Sequence, residues 1–265
     1  MSIGEQLKAG QLEEAIEAAI QDVKKNPMKW DKRIALSQLL CFRGDLERAD
    51  NHLETAQIQT PDALLRISMY RQMIRGEMTR QECWQEGRTP DLMQGQEPSE
   101  LIQTNLKLLL ALREGSMEEA TQLTAEIEEQ RPVVAGTCDG VAFEDIRDQD
   151  DRTAFFFETI TSNGKYFWLP FDAIESIEFH APEQPCDLIW RRATMNAYGQ
   201  EGDVFLNALY PGTAASENIA EKLGQSTTWL EKEGEPACGV GQRMFWLGED
   251  EKSIMEIGKI EFAKP

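Results

Sequence analysis

Gly10–Pro27 reads GQLEEAIEAAIQDVKKNP, and the chain says the same thing twice more: Gly44–Pro61 reads GDLERADNHLETAQIQTP and Gly115–Pro132 reads GSMEEATQLTAEIEEQRP. In each copy Gly and Pro lie 17 positions apart. A hydrophobe (Leu12, Leu46, Met117) follows two after the Gly, and an Ala (Ala15, Ala49, Ala120) five after it. The first two copies are 34 residues apart, the period of tetratricopeptide repeats, in which two helices form a hairpin that buries its apolar face only against its neighbours. Each position has a mechanical reading: Gly ends the first helix in a left-handed conformation, the small Ala lets paired helices approach, and Pro stops the second helix. An ordinary bundle of similar helices is the alternative.

At 265 residues the chain suits two domains. Its 41% hydrophobic and 28% charged residues describe a globular protein. The net charge of −20 is shared, −8 through Gln130 and −12 after it, a field that repels phosphates and anionic lipid; neither nucleic acid nor membrane is an expected partner. Basic or amphipathic segments are attracted instead. MSIGEQLKAG is polar where a secretory signal needs an apolar core, and no run approaches the ~20 residues of a membrane span. Cys41, Cys83, Cys138, Cys186 and Cys238 are dispersed and never spaced CxxC, which favours free thiols in a reducing cytoplasm.

Along the chain, Met1–Gly10 reads as a short helix, Gln11–Lys25 as an amphipathic one with Leu12, Ile16, Ile20 and Val23 on one side, and Lys29–Gln59 as a second hairpin with Ile34, Leu36, Leu39, Leu40 and Phe42 inward and Asp45 as N-cap. Pro61 opens a long helical segment to Gly87, and GRTPDLMQGQEPSE, with two prolines and two glycines, reads as an ordered loop. Leu101–Arg113 and Ser116–Gln130 form the third hairpin, and RPVVAGTCDG marks the boundary between a helical domain, 1–131, and a mainly antiparallel α+β domain, 136–265. In the latter, Phe155–Thr161 and Lys165–Leu169 flank Asn163-Gly164, a strong hairpin signal. Ser176–Phe179, Ile189–Ala197, Val204–Leu209, Val240–Leu247 and Lys259–Phe262 are further strands, with a short helix at Ser216–Leu223. Tyr210-Pro211-Gly212-Thr213 reads as a type II turn.

Asp139, Glu144, Asp145, Asp148, Asp150 and Asp151 form an acidic run. A metal-dependent hydrolase built on it is one functional reading, but the run lacks the Gly and terminal Glu of a calcium loop. A solvated acidic turn with Arg152 paired internally accounts for it as well. His52 and His180 are far apart and suit structural roles, and Gly239–Met244 is no phosphate loop because a strand follows it. Neither a nucleophile elbow, a zinc signature nor a dinucleotide fingerprint appears. No metal, cofactor or catalytic site is expected.

Asp139-Gly140 with Phe143 and Ile146, Asp148-Gln149-Asp150 with Arg152, Asn163 through Pro170, Asp187 through Trp190, Tyr210-Pro211-Gly212, Thr228-Trp229 and Gly239 through Arg243, together with Ser37 through Cys41 and Gly87 through Pro90 in the first half, resemble the ImpE family, also called SciE-type or TagJ, accessory proteins of bacterial type VI secretion. The chain departs from it near Ala154–Phe156, where the family has Gly-Pro, and at Leu209, where it has Arg. The resemblance implies a cytoplasmic, non-enzymatic adaptor that binds the amphipathic N-terminal helix of the small sheath subunit TssB and is linked to the sheath-recycling ATPase ClpV. Asp148, Asp150, Arg152, Tyr166, Trp168, Trp190 and Arg243 are the candidate partner contacts, although strand alternation turns some of these aromatics inward. A general peptide-binding co-chaperone is a third possibility.

Overall fold

The computed structural model describes residues 3–59, 63–92, 97–230 and 234–263, except the side chain of residue 59. Seven helices come first: α1 (Ile3–Lys8), α2 (Leu12–Lys25), α3 (Trp30–Phe42), α4 (Leu46–Gln59), α5 (Leu64–Glu86), α6 (Glu100–Glu114) and α7 (Met117–Gln130). The repeat reading explains the turns. Gly10, Gly44 and Gly115 have φ of +72°, +73° and +74°, a region costly for any residue with a Cβ. Ala15, Ala49 and Ala120 are at most 1% exposed; a larger side chain at any of them would overpack a helix pair at a cost of about 1–3 kcal/mol. Pro27 and Pro132 each follow a helix end, whereas Pro61 and Gly95 lie outside the described residues. Asp45 immediately precedes α4, and its carboxylate accepts from Arg43 and Arg48.

Strands follow from Gly136. One antiparallel sheet holds eight of them in the order β2 (Val141–Phe143), β1 (Gly136–Cys138), β13 (Lys259–Phe262), β6 (Ile174–Phe179), β7 (Trp190–Ala197), β8 (Gln200–Asn207), β4 (Phe156–Thr161), β5 (Tyr166–Pro170). A three-stranded sheet, β12 (Asp250–Ser253), β11 (Met244–Leu247) and β3 (Ile146–Asp148), and a hairpin of β9 (Thr227–Leu230) and β10 (Cys238–Gly241) complete the architecture. Helical hairpins followed by an antiparallel α+β unit are thus the fold. The Asn163-Gly164 hairpin joins β4 to β5, and Gly212, at φ 86° and ψ −8°, closes the type II turn.

The structure corrects the sequence reading in four places. Val240–Leu247 is not one strand: β10 and β11 belong to different sheets, broken at Gln242-Arg243 where the Arg243 side chain turns inward. The helix expected at Ser216–Leu223 is one short turn, α8 (Ile219–Lys222), after a 3-10 turn at Thr213–Ala215. The short strands β1 to β3, with β9 and β12, stand where the sequence reading placed none. The acidic run is not a solvated turn, because Asp148 and Asp150 are fully buried.

The class of structure changes between Gln130 and Gly136, yet one apolar core spans the change: Leu12, Leu39, Leu53 and Ile74 cluster with Phe156, Ile160, Tyr166 and Trp168. Helix α5 makes the contact. Gly76 sits so close to β4 that a Cβ there would lie 2.5 Å from a methyl of Ile160. The second core, Phe157, Leu206, Phe245, Ile257 and Ile260 among others, occupies the opposite sheet face. Among the described residues no helix is long and apolar enough to cross a membrane.

Candidate functional site

Alternation along β4 points Phe156, Glu158 and Ile160 toward the helices, which puts one carboxylate into the apolar seam. It is fully buried and surrounded by donors from three elements. Arg80 of α5 clamps it with both arms, Nε at 2.7 Å and Nη2 at 2.8 Å. Trp84 Nε1 donates at 2.8 Å, and Tyr166 Oη and Arg243 Nη2 donate as well. Burial would raise the Glu158 carboxyl, but Arg80 and Arg243 outweigh it and hold it at about 2.

From Glu158 the network runs both ways. Arg80 Nη1 donates to Glu77 at 3.1 Å, and the other Glu77 oxygen accepts from Trp190 Nε1 at 2.9 Å and Asn207 at 2.7 Å. On the opposite side Arg243 lies 3.3 Å from Asp148, which accepts from Tyr210 Oη at 2.8 Å and from the Asp150 N–H at 3.0 Å. Asp150 in turn accepts from Arg152 and from the Gly239 N–H at 2.7 Å. Trp168 Nε1 donates to Tyr166 Oη at 2.7 Å. Burial pushes the Asp148 carboxyl up to about 7; Arg243 opposes this and Asp150 adds to it. The Tyr166 phenol is raised by burial and then by Glu158.

All seven residues singled out in the sequence therefore meet in one network, but inside the protein. Asp148, Asp150, Tyr166, Trp168, Trp190 and Arg243 are buried, and the side chain of Arg152 is 15% exposed. Their direct partners are the residues of this chain, and they tie the sheet to α5. Sequence reasoning missed the centre of the network, Glu158, with Glu77, Arg80, Trp84, Asn207 and Tyr210. A signal existed: Glu158 interrupts FFFETI, and Glu77 and Arg80 fall at i and i+3 among Met73, Ile74 and Cys83, all buried.

The rest of the acidic run is likewise engaged. Asp139 accepts from the N–H groups of Gly258 and Lys259, Asp145 from Arg131, and Asp151 from Arg147 and the Ala237 N–H. Glu144 is exposed. Among the described residues no group of three or more His, Cys, Asp or Glu side chains is placed to hold a metal ion. His52 lies 3.4 Å from Arg33, and His180 3.1 Å from the Thr194 hydroxyl. At Gly239 a Cβ would meet the Tyr210 ring at 2.3 Å, so this glycine-rich turn serves close packing.

Comparison with known proteins decides the lineage. Residues 140–261 match the ImpE protein family. Over 259 residues, 97% of this chain and 90% of the other, the sequence is 32% identical to TagJ, a type VI secretion system accessory component of Pseudomonas aeruginosa. The chain belongs to the ImpE family. Its fold is similar to the crystal structure of a Vibrio parahaemolyticus protein, with a TM-score of 0.91 at 26% identity, covering 100% of this chain and 98% of that one. As an ImpE protein it is a type VI secretion accessory protein. The ImpE match begins at residue 140, and Asp148, Asp150, Arg152, Glu158, Tyr166, Trp168, Trp190 and Arg243 all fall inside it.

Proposed function

We propose that this chain is a cytoplasmic, non-enzymatic adaptor of a type VI secretion system that binds the amphipathic N-terminal helix of the small sheath subunit TssB and links the sheath to the ATPase ClpV. The observation that carries the reading is the self-pairing of the charged network. Every carboxylate in it is occupied by an arginine, a tryptophan or asparagine N–H, a tyrosine hydroxyl or a backbone amide of the same chain, an arrangement suited to fixing a shape. Asp148, Asp150, Arg152, Tyr166, Trp168, Trp190 and Arg243 then serve the partner by holding the helical array rigidly on the sheet. Stacked hairpins provide surfaces for a helix, and the charge of −20 suits a cationic one.

The test is calorimetric titration of the full chain with a synthetic TssB N-terminal peptide, its scrambled counterpart and an unrelated amphipathic peptide. Saturable binding of the TssB peptide alone is expected. Equal binding of all three is the behaviour of a general peptide-binding co-chaperone, and no binding of the TssB peptide overturns the reading.

A further inference from the structure

Where the first turn of α6 approaches β5 and the segment that follows it, the surface opens into a groove of about 1030 Å³. Leu92, Leu101, Phe167, Trp168, Leu169 and Tyr198 give it apolar walls, with Leu92 45% and Tyr198 42% exposed. Its remaining charge is of one sign. Asp91, Glu97, Glu100, Asp172 and Glu175 line it, and among the described residues no Lys or Arg does. Glu97, Glu100 and Asp172 are exposed, and among the described residues no ion pair engages them.

Two of the lining residues are held in place by the chain itself. Asp91 is pinned to β5, its N–H donating to the Tyr166 carbonyl at 2.8 Å and its carboxylate accepting from the Tyr166 N–H at 3.1 Å. Trp168 is stacked on Phe156, with ring centroids 4.6 Å apart and planes 19° apart, and its N–H is committed to Tyr166. Such preorganisation removes part of the ordering cost of association.

We propose that this groove docks a cationic amphipathic helix, with its apolar face on Leu92, Leu101, Leu169 and Tyr198 and its lysines or arginines against Glu97, Glu100 and Asp172. Apolar burial governs the residence time, while the carboxylates govern encounter and orientation, because exposed charge acts chiefly on the association rate. Trp168 is the one member of the buried network that also lines the groove. That the helix is the sheath subunit's rests on the adaptor reading; the location and the charge of the occupant rest on the groove alone.

Two probes separate these. Association of the full chain with labelled TssB N-terminal peptide, and with a designed Leu/Lys amphipathic helix, is followed by stopped flow at low and high salt. The wild type is compared with Glu100→Lys/Asp172→Lys and with a control pair of equal charge change on α2, Glu14→Lys/Glu17→Lys, all four being exposed. We expect the groove pair to slow association about tenfold at low salt, the control pair less than about threefold, and high salt to narrow the gap. Leu92→Asp should instead speed dissociation. Equal slowing by the two charge pairs, or no binding of either probe, overturns the groove. Groove-dependent binding of the Leu/Lys helix with none of the TssB peptide leaves the groove standing and removes the adaptor reading.

Discussion

Replacing Glu158 by Gln keeps the size of the side chain and takes away the charge on which Arg80 and Arg243 converge. The magnitude follows from the site. A carboxyl held at about 2 when its ordinary value is 4.5 contributes about 3 kcal/mol of stability when ionised. Breaking a buried pair by removing one partner costs about 3–5 kcal/mol because the other charge stays desolvated, so the two estimates agree. Set against a total of about 5–15 kcal/mol, Glu158→Gln removes a large share, equivalent to a fall in Tm of roughly 10 °C for a chain of this size. The sign with pH is fixed too. The folded carboxyl is depressed, so its contribution is complete above about 4.5 and disappears as pH falls toward about 2; the variant should lose that part of the acid sensitivity. Urea unfolding followed by tryptophan fluorescence, with Trp84, Trp168 and Trp190 as reporters inside the network, measures both effects. A midpoint at neutral pH indistinguishable from wild type would refute the view that this network holds the helices on the sheet.

Asp148→Asn should act in the opposite sense: burial raises this carboxyl from 3.8 to about 7, so the native state holds the extra proton and stability drops as pH rises through that interval. The variant should flatten that slope, and an unchanged slope in thermal melts across it would argue against an uncomfortably ionised Asp148. Gly76→Ala gains about 1 kcal/mol of helix propensity but meets Ile160 at 2.5 Å, an overpacking cost of about 1–3 kcal/mol, so net destabilisation is expected, eased when Ile160→Val is added. The cysteine thiols are all raised by burial, Cys83 to about 12 and Cys238 to about 11; a thiol reagent should react slowly with native protein and rapidly in urea, and fast reaction of the native chain would contradict this burial.

The repeats were readable because each Gly and Ala does a local job within one hairpin, and the Asn163-Gly164 and Pro211-Gly212 turns were readable for the same reason. Glu158 was not, because its partners are remote: Arg80 lies 78 positions away and Arg243 85. Nor could the sequence tell that Asp148 and Asp150 are inside, since a dense acidic run looks solvated until Tyr210, Arg243 and the Gly239 amide are brought against it. The shared core escaped for a related reason. Gly76 reads as a blemish in α5 until Ile160 is placed over it. The groove joins residues 91–92, 97–102, 167–175 and 198–199, and no single window of sequence contains it.

Hydrogen–deuterium exchange of the full chain, free and saturated with the TssB N-terminal peptide, shows where the helix sits. Peptide-dependent protection is expected in the first turns of α6 and along 166–173, with the amides around Arg80 and Glu158 slow in both states. Protection elsewhere with none at the groove, or no change at any amide, would contradict that placement.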